Sequence, residues 1–121
     1  MPKFLSRDSI LSVQDCKPVP VSVPEWASEG EEIPVVGIRK LNGLERQELN
    51  KLLGRDRITD VEIEQAAFIA CVADESGKAL FAPGDGPMIA EKFAGVIARL
   101  GRKALTVNMF GKAAMEQAEK N

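Results

Sequence analysis

The stretch TDVEIEQAAFIACVAD, residues 59–74, decides the fold. Thr59 and Glu62 have the spacing of a capping box, in which each side chain satisfies a backbone N–H of the other residue at a helix start. The acidic first turn suits the positive end of the helix dipole. The second half, residues 66–73, carries almost no polar side chain, and a helix that is apolar all round is buried on several sides. We therefore predict that this segment is the central helix of the domain.

Residues 42–54, NGLERQELNKLLG, predict a helix that precedes the central one. Asn42 is a natural N-cap with Glu45 three residues further on, and Gly54 lies where a left-handed C-cap belongs. The buried side of this helix is expected to consist of Leu49, Leu52 and Leu53.

A third helix is predicted to begin after PGDGP, residues 83–87. Asp85 or Gly86 is its expected cap, and Pro87 suits its first turn because the missing N–H is not needed there. Apolar residues then recur at helical spacing, at Ile89, Phe93, Val96, Ile97 and Leu100. Gly101 either ends this helix or bends it.

The first 34 residues differ from the rest because they are rich in proline and lack a helical period. In PVPVSVPEW, residues 18–26, valine alternates with proline and serine, which is typical of an edge strand, since proline cannot donate to a central ladder. PVVGIRKL, residues 34–41, predicts a second strand antiparallel to the first, and the acidic ASEGEE, residues 27–32, predicts the loop between them.

Together these segments predict a single α+β domain of residues 1–121, mostly α, in which a small N-terminal antiparallel two-stranded sheet packs on a bundle of three to four helices. Residues 1–41 would form the strand and loop region and residues 42–118 the helical region. A last helix is expected after Gly101, and residues 119–121 are expected to be a frayed tail. A chain of this length buries a core without metal or disulfide.

Charge and composition exclude several classes of protein. Sixteen basic and eighteen acidic side chains give a net charge of −2, without long blocks of like charge. Nucleic acid and anionic membrane surfaces both reward clustered Lys and Arg, so neither is expected as a partner. The sequence has no signal-peptide pattern and no apolar run of the roughly 20 residues that a membrane helix needs, which predicts a soluble protein that stays where it is made.

The residues capable of chemistry do not form a recognisable active site. The chain has no histidine, which removes the commonest general base and transition-metal ligand. Cys16 and Cys71 are expected to be reduced. Cys71 lies in the most apolar stretch and is followed by Asp74 and Glu75, which disfavour a thiolate, so we interpret it as a buried structural cysteine. No enzyme activity, metal or cofactor is predicted.

Apolar residues on the third and last predicted helices are candidates for a protein-binding surface. Each of them alone is most simply a core residue. As a group they are candidates for lining a groove that binds a partner helix or a second copy of the chain. The group consists of Phe93, Ile97, Leu100, Met109 and Phe110.

Three stretches together resemble the tail assembly chaperones of long-tailed bacteriophages. They are VSVPEW (residues 21–26), VVGIRKLNGLERQEL (residues 35–49) and AAFIACVADESGKALFAPGD (residues 66–85), and their order and spacing carry the resemblance over residues 19–86. The chain departs from the family where ASEGEEIP separates the tryptophan from the second strand, and its last 35 residues carry no family motif.

The resemblance gives residues 74–81, DESGKALF, an architectural role. In the family this segment is the corner at which the chain turns between the buried helix and the segment that follows it. Asp74 begins the corner, Gly77 permits the reversal, and Phe81 is expected to pin the returning chain onto the core.

The resemblance further implies a non-enzymatic chaperone in the cytoplasm of the bacterial host, absent from the mature virion. Such a protein keeps the apolar, helical tape measure protein soluble, helps to recruit tail tube subunits, and is a candidate for self-association. Two alternatives remain open: a small structural virion protein, such as a head–tail joining or tail-completion subunit, and a small cysteine-dependent enzyme that uses Cys71.

A longer product of the same gene is also implied by the resemblance. In many phages of this family a minus-one ribosomal frameshift near the end of the gene appends a second domain. Glu119, Lys120 and Asn121 can be encoded GAA AAA AAC, which contains the slippery heptamer A AAA AAC. The extension would then engage the tape measure protein while the shared domain recruits tube subunits.

Overall fold

The computed structural model describes residues 2–110, which form five helices and one three-stranded sheet. The helices are α1 (Arg7–Ser12), α2 (Gly43–Leu53), α3 (Asp60–Cys71), α4 (Gly86–Ala90) and α5 (Ala94–Val107), and the strands are β1 (Val19–Ser22), β2 (Val35–Ile38) and β3 (Val72–Ala73). Short 3-10 turns occur at Pro24–Trp26 and Pro83–Asp85. The mostly helical α+β class is confirmed. Over residues 2–110, none of the helices is long and apolar enough to cross a membrane.

The sheet has the order β1–β2–β3 and is antiparallel throughout. Val19 pairs with Ile38 and Val21 with Val36, so that the valines of β1 lie on the side that faces the helices. Pro20 and Ser22 point to the other side and are exposed. β1 is an edge strand, as its prolines predict, since the edge position spares proline a ladder hydrogen bond.

The prediction of two strands was wrong by one strand, because the central helix ends earlier than expected. α3 stops at Cys71, and Val72 adopts extended backbone angles, φ −70° and ψ 128°. Val72 then pairs with Ile38 and Ala73 with Gly37. The open edge of β2 thus recruits the two residues that follow the helix, and β-branched Val72 favours the extended conformation.

Both predicted capping boxes are present at the helix starts. In α2, the backbone N–H of Glu45 donates to the Asn42 side chain, and the Glu45 carboxylate accepts from the Asn42 backbone. Thr59 and Glu62 make the same reciprocal pair at the start of α3. Gly54 ends α2, but its φ of −86° shows that the predicted left-handed cap is not formed. Along the expected stripe of α2, Leu49 is buried and Leu53 partly buried, whereas Leu52 is 42% exposed.

The predicted third helix is divided into two. α4 begins at Gly86 with Pro87 in its first turn, as expected, but it ends at Ala90. Phe93 then adopts φ −58° and ψ 117°, and the chain re-enters a helix at Ala94. α5 continues through Gly101 to Val107, so of the two alternatives for that glycine the helix end is excluded.

Two further parts of the prediction concern the chain ends. The absence of a helix from the first 34 residues was wrong, because α1 forms at residues 7–12 with Ser6 as its N-cap, whose hydroxyl accepts from the Ser9 N–H at 3.1 Å. The expected continuation of the last helix over residues 111–118 and the frayed tail at residues 119–121 lie outside the described residues.

The core is organised around α3, which packs mainly against α5. Phe68 of α3 is 1% exposed, and its ring lies 6.4 Å from the ring of Trp26 and 5.6 Å from that of Phe81. On the opposite helix, Gly101 allows a close approach: a Cβ at this position would lie 2.4 Å from the carbonyl oxygen of Glu64. α3 is therefore the central helix, as predicted.

Replacing Phe68 with alanine should lower the free energy of unfolding by about 3–5 kcal/mol, because it removes a buried ring that the surrounding side chains cannot fully replace. Chemical denaturation of the purified variant measures the loss. A stability close to that of the wild type would contradict the central position of α3.

Gly101→Ala should destabilise the fold by about 1–3 kcal/mol, because the added methyl group would push α5 away from the backbone of α3. Helix propensity alone predicts the opposite sign, a gain of about 0.8–1 kcal/mol. The matched control is Gly43→Ala, where a Cβ meets no atom within 4 Å. Equal thermal midpoints for Gly101→Ala and wild type would show that the two helices are not in close contact.

Candidate protein-binding site

The five apolar residues predicted to form a binding surface are separated by the fold. Phe93 and Met109 are 72% and 82% exposed, whereas Ile97, Leu100 and Phe110 are almost fully buried. The buried residues on α5 face α3 because they share one side of the helix. The predicted five-residue surface is therefore not formed, and only its first and fourth members are accessible.

Phe110 belongs to the hydrophobic core, and the polar contacts beside it were not evident from the sequence. The Arg46 guanidinium lies 4.6 Å from the centroid of the Phe110 ring. The same guanidinium donates to the backbone carbonyls of Asn108 (2.8 Å) and Met109 (3.1 Å). A positive charge at the end of α5 suits the negative end of the helix dipole. The Arg46 side chain therefore connects α2 to the end of α5 by hydrogen bonds.

Asn108 is a buried polar residue that connects three elements. Its amide nitrogen donates to the carbonyl oxygens of Arg39 and Ala104, both at 2.9 Å, and its oxygen accepts from the backbone N–H of Leu41 at 2.6 Å. The amide also lies 3.7 Å from the Cys71 sulfur. Because all these contacts satisfy buried polar groups, Asn108 has a structural role. Sequence reasoning missed it because a single Asn near a helix end is usually a cap.

An open apolar groove lies between α2, α3 and the returning chain after β3. Its volume is about 480 Å³. Its apolar lining comes from α2, α3 and the connection between β2 and α2, together with Phe81 from the returning chain. The lining includes Leu41, Leu49, Leu52, Ala66, Ile69 and Phe81. Since Leu52 is 42% exposed and Ile69 and Phe81 are only partly buried, this surface is accessible to a partner.

Charged pairs form the rim of the groove. Arg39 pairs with Glu45 and also donates to the carbonyl oxygen of Ala70 at 3.0 Å. Arg55 pairs with Glu62 at 3.1 Å. The Thr59 hydroxyl and backbone hydrogen bonds hold the pKa of the Glu62 carboxyl below its ordinary value, with a smaller contribution from the Arg55 charge. An apolar floor with a charged rim is typical of a surface that binds an amphipathic helix.

The corner at residues 74–81 is a tight hydrogen-bonded turn. The Asp74 carboxylate accepts from the Ser76 hydroxyl (2.6 Å) and from the N–H groups of Ser76 (2.9 Å) and Lys78 (3.0 Å). These bonds, first that of the hydroxyl, lower the pKa of the Asp74 carboxyl. Gly77 has a φ of +90°, a conformation that favours glycine. Phe81 returns to pack against Phe68.

The Cys71 thiol, the candidate nucleophile of the sequence, lies in the core. Cys71 is completely buried, and burial raises the pKa of its thiol to about 12, against a weaker opposing effect of the Arg39 charge. At neutral pH this thiol is protonated and therefore a poor nucleophile. Over residues 2–110, no three His, Cys, Asp or Glu side chains lie together in a way that could hold a metal ion.

Comparison of the chain with protein families, curated proteins and solved structures finds no match.

Thiol labelling at pH 8 should distinguish the two cysteines. Cys16 is exposed and should react promptly, whereas Cys71 should react only after unfolding. The Cys16→Ser variant, as a control, should then show no fast-reacting thiol in the native state. Fast labelling of native Cys71 would contradict its burial and favour a reactive cysteine.

The buried Cys71 thiol also predicts a pH dependence of stability. Because the native chain holds the Cys71 proton more tightly than the unfolded chain, the contribution of this thiol to stability should be complete below about pH 9 and lost as the pH rises towards 12.

Proposed function

We propose that this chain is a non-enzymatic tail assembly chaperone that binds an apolar helical segment of a phage tape measure protein and keeps it soluble. The observation that carries the proposal is the open apolar groove between α2 and α3 with its charged rim. The resemblance of residues 19–86 to tail assembly chaperones supports the same function from the sequence. The candidate nucleophile Cys71 is a buried, protonated thiol, which supports a binding role over a cysteine-dependent enzyme.

The shape and chemistry of the groove suit one face of an amphipathic helix. Such a helix presents apolar residues at positions i, i+3, i+4 and i+7, which would lie against Leu52, Ile69 and Phe81. Polar residues flanking that stripe would meet the ion pairs at Arg39 and Arg55. A tape measure protein is long, helical and apolar, and it aggregates unless such a stripe is covered.

The open form of the groove favours reversible binding. A shallow surface gives weak individual contacts, but many copies along one extended client add avidity. Weak contacts also allow tail tube subunits to replace the chaperone as the tube grows. In this proposal the protein acts in the cytoplasm of the bacterial host and leaves before the virion is complete.

A charge placed on the groove should abolish client binding without unfolding the chaperone. We expect Leu52→Glu to weaken binding to a co-expressed tape measure protein at least about tenfold, because the helical client would have to bury an unpaired carboxylate. Leu44→Glu is the matched control: Leu44 lies on the same helix, is 77% exposed and does not line the groove. Soluble yield and co-purification of the client measure the effect, and thermal midpoints show that both variants are folded.

Several results would contradict the proposal. Wild-type protein that neither solubilises nor co-purifies with the tape measure protein would overturn it. A folded Leu52→Glu variant that binds as well as Leu44→Glu would remove the groove as the binding site. Loss of tail tube protein binding alone would assign the groove to tube subunits. Recovery of the chain from finished virions would favour the structural virion protein instead.

A further inference from the structure

The junction between α4 and α5 interrupts a stretch of sequence that predicts one continuous helix. Residues 88–94, MIAEKFA, contain neither glycine nor proline, and alanine, glutamate and lysine are good helix formers. α4 nevertheless ends at Ala90, and a new helix begins at Ala94. Local preference and tertiary structure therefore disagree at residues 91–93. Disagreements of this kind are typical of positions at which a protein has a functional requirement.

The start of α5 lacks the features that usually stabilise a helix start. Phe93 occupies the N-cap position, its side chain makes no capping hydrogen bond, and the first turn carries no acidic residue. A polar N-cap side chain would accept from one of the first helical N–H groups. The Phe93 side chain is instead 72% exposed. Its ring lies over Gly95, where a Cβ would come within 2.9 Å of the ring. The outward position of the ring therefore depends on the missing side chain of Gly95.

The bend between the two helices follows from the limited length of α3. The two long helices run side by side in the same direction, because Gly101 lies against Glu64 and, further along both helices, Asn108 contacts Cys71. α3 begins only four residues before Glu64. A helix continued backwards from the start of α5 would therefore project past the start of α3. The bend instead folds α4 back onto α3.

The bend buries Ile89 of α4 at the first turn of α3. Ile89 is 4% exposed. It lines a cavity of about 80 Å³ together with Val61 of α3 and Ile97 of α5. Ala90 and Ala94, the last residue of α4 and the first of α5, line the same cavity, whereas Phe93 between them points to solvent. The space beside the first turn of α3 is therefore occupied by Ile89 and is not completely filled.

A straight junction would place Phe93 in the position that Ile89 now occupies. Residues three and four apart share one side of a helix, so Phe93 would join Ile97 and Leu100 on the side that faces α3. It would then cover Val61, which is 53% exposed. Ile89 would leave its contact with α3. The N–H groups of residues 93–95 would gain helical hydrogen bonds to the carbonyl oxygens of residues 89–91. Straightening thus exchanges one apolar contact for another of similar size.

We propose that residues 91–93 are a two-state hinge that exchanges Ile89 and Phe93 at the first turn of α3. In the bent state, which this structure shows, Ile89 is buried and Phe93 is accessible. In the straight state, Phe93 is covered and Ile89 is accessible. A partner that binds one of these side chains shifts the equilibrium towards the state that exposes it. The inference does not rest on the proposed chaperone function, because none of the described lining residues of the groove belongs to α4 or α5.

Two substitutions should bias the hinge in opposite directions. Ala94→Pro suits the bent state, because proline is favoured at the first position of a helix and Phe93 already has angles that suit a residue before proline, φ −58° and ψ 117°. In the straight state the same proline would lie inside a helix, where it removes a hydrogen bond and clashes with the preceding turn. Gly95→Ala favours the straight state, because its methyl group would displace the Phe93 ring from its outward position.

Fluorine NMR of the full chain labelled with fluorophenylalanine measures the two states. The Phe93 signal is assigned by its loss in Phe93→Leu. We expect saturation-transfer experiments, which detect minor states that exchange in microseconds to milliseconds, to reveal a second Phe93 signal in the wild type. Ala94→Pro should abolish this second signal, and Gly95→Ala should raise its population about threefold or more. The matched control Gly43→Ala, where a Cβ meets no atom within 4 Å, should leave it unchanged.

Three results would overturn the hinge. The first is a single Phe93 signal in the wild type without any saturation response. The second is a second signal that persists in Ala94→Pro, because it would then report rotation of the ring alone. The third is a Gly95→Ala variant that is folded and has the wild-type population, since the outward ring would then not depend on Gly95. Loss of the native fold in Ala94→Pro would contradict the bent geometry at Phe93 and would overturn the hinge as well.

Discussion

The close approach of α5 to the backbone of α3 is the constraint on which the rest of the structure depends. Gly101 makes it possible, because any Cβ would overlap the carbonyl oxygen of Glu64. Small residues on both sides, Ala67 and Ala104, are completely buried near this crossing. The Glu64 carboxylate pairs with Arg102 at 2.9 Å, so its charge is compensated although the side chain is largely buried. A helix pair packed in this way has no room for a third helix on the same side.

The groove follows from this arrangement. With α5 on one side of α3, α2 has to pack elsewhere on it, and it covers Ala66 and Ile69 only in part. The position of α2 is set by Asn108, which holds the connection between β2 and α2 against the end of α5, and by Arg46. Both residues satisfy buried or partly buried polar groups, so that their hydrogen bonds fix a geometry that apolar contacts alone would leave loose. The hydrogen bonds of Asn108 and Arg46 therefore hold α2 in the position that leaves the groove accessible.

The sequence predicted the features that depend on local chemistry. The two capping boxes, the valine alternation of β1, the apolar α3 and the turn at Gly77 all follow from short-range rules, and the structure has them. β3 could not be predicted in this way, because Val72 and Ala73 become a strand only when the edge of β2 is beside them.

The candidate surface could not be predicted from spacing alone for the same reason. Ile97 and Leu100 share their helical period with Phe93, but only the packing of α3 decides which of them is buried. Asn108 and Arg46 are likewise 62 residues apart in the chain, and no short-range sequence pattern predicts the contact between them.

The corner at residues 74–81 connects the sheet to the groove. After the reversal at Gly77, Ala79 pairs with Ala73 of β3. Beyond this bridge Phe81 lines the groove and packs against Phe68, whereas Leu80 is 50% exposed. The hydrogen bonds of Asp74 that fix the turn therefore set where Phe81 meets the core, so that a slip of one residue would move Phe81 out of its contact with Phe68.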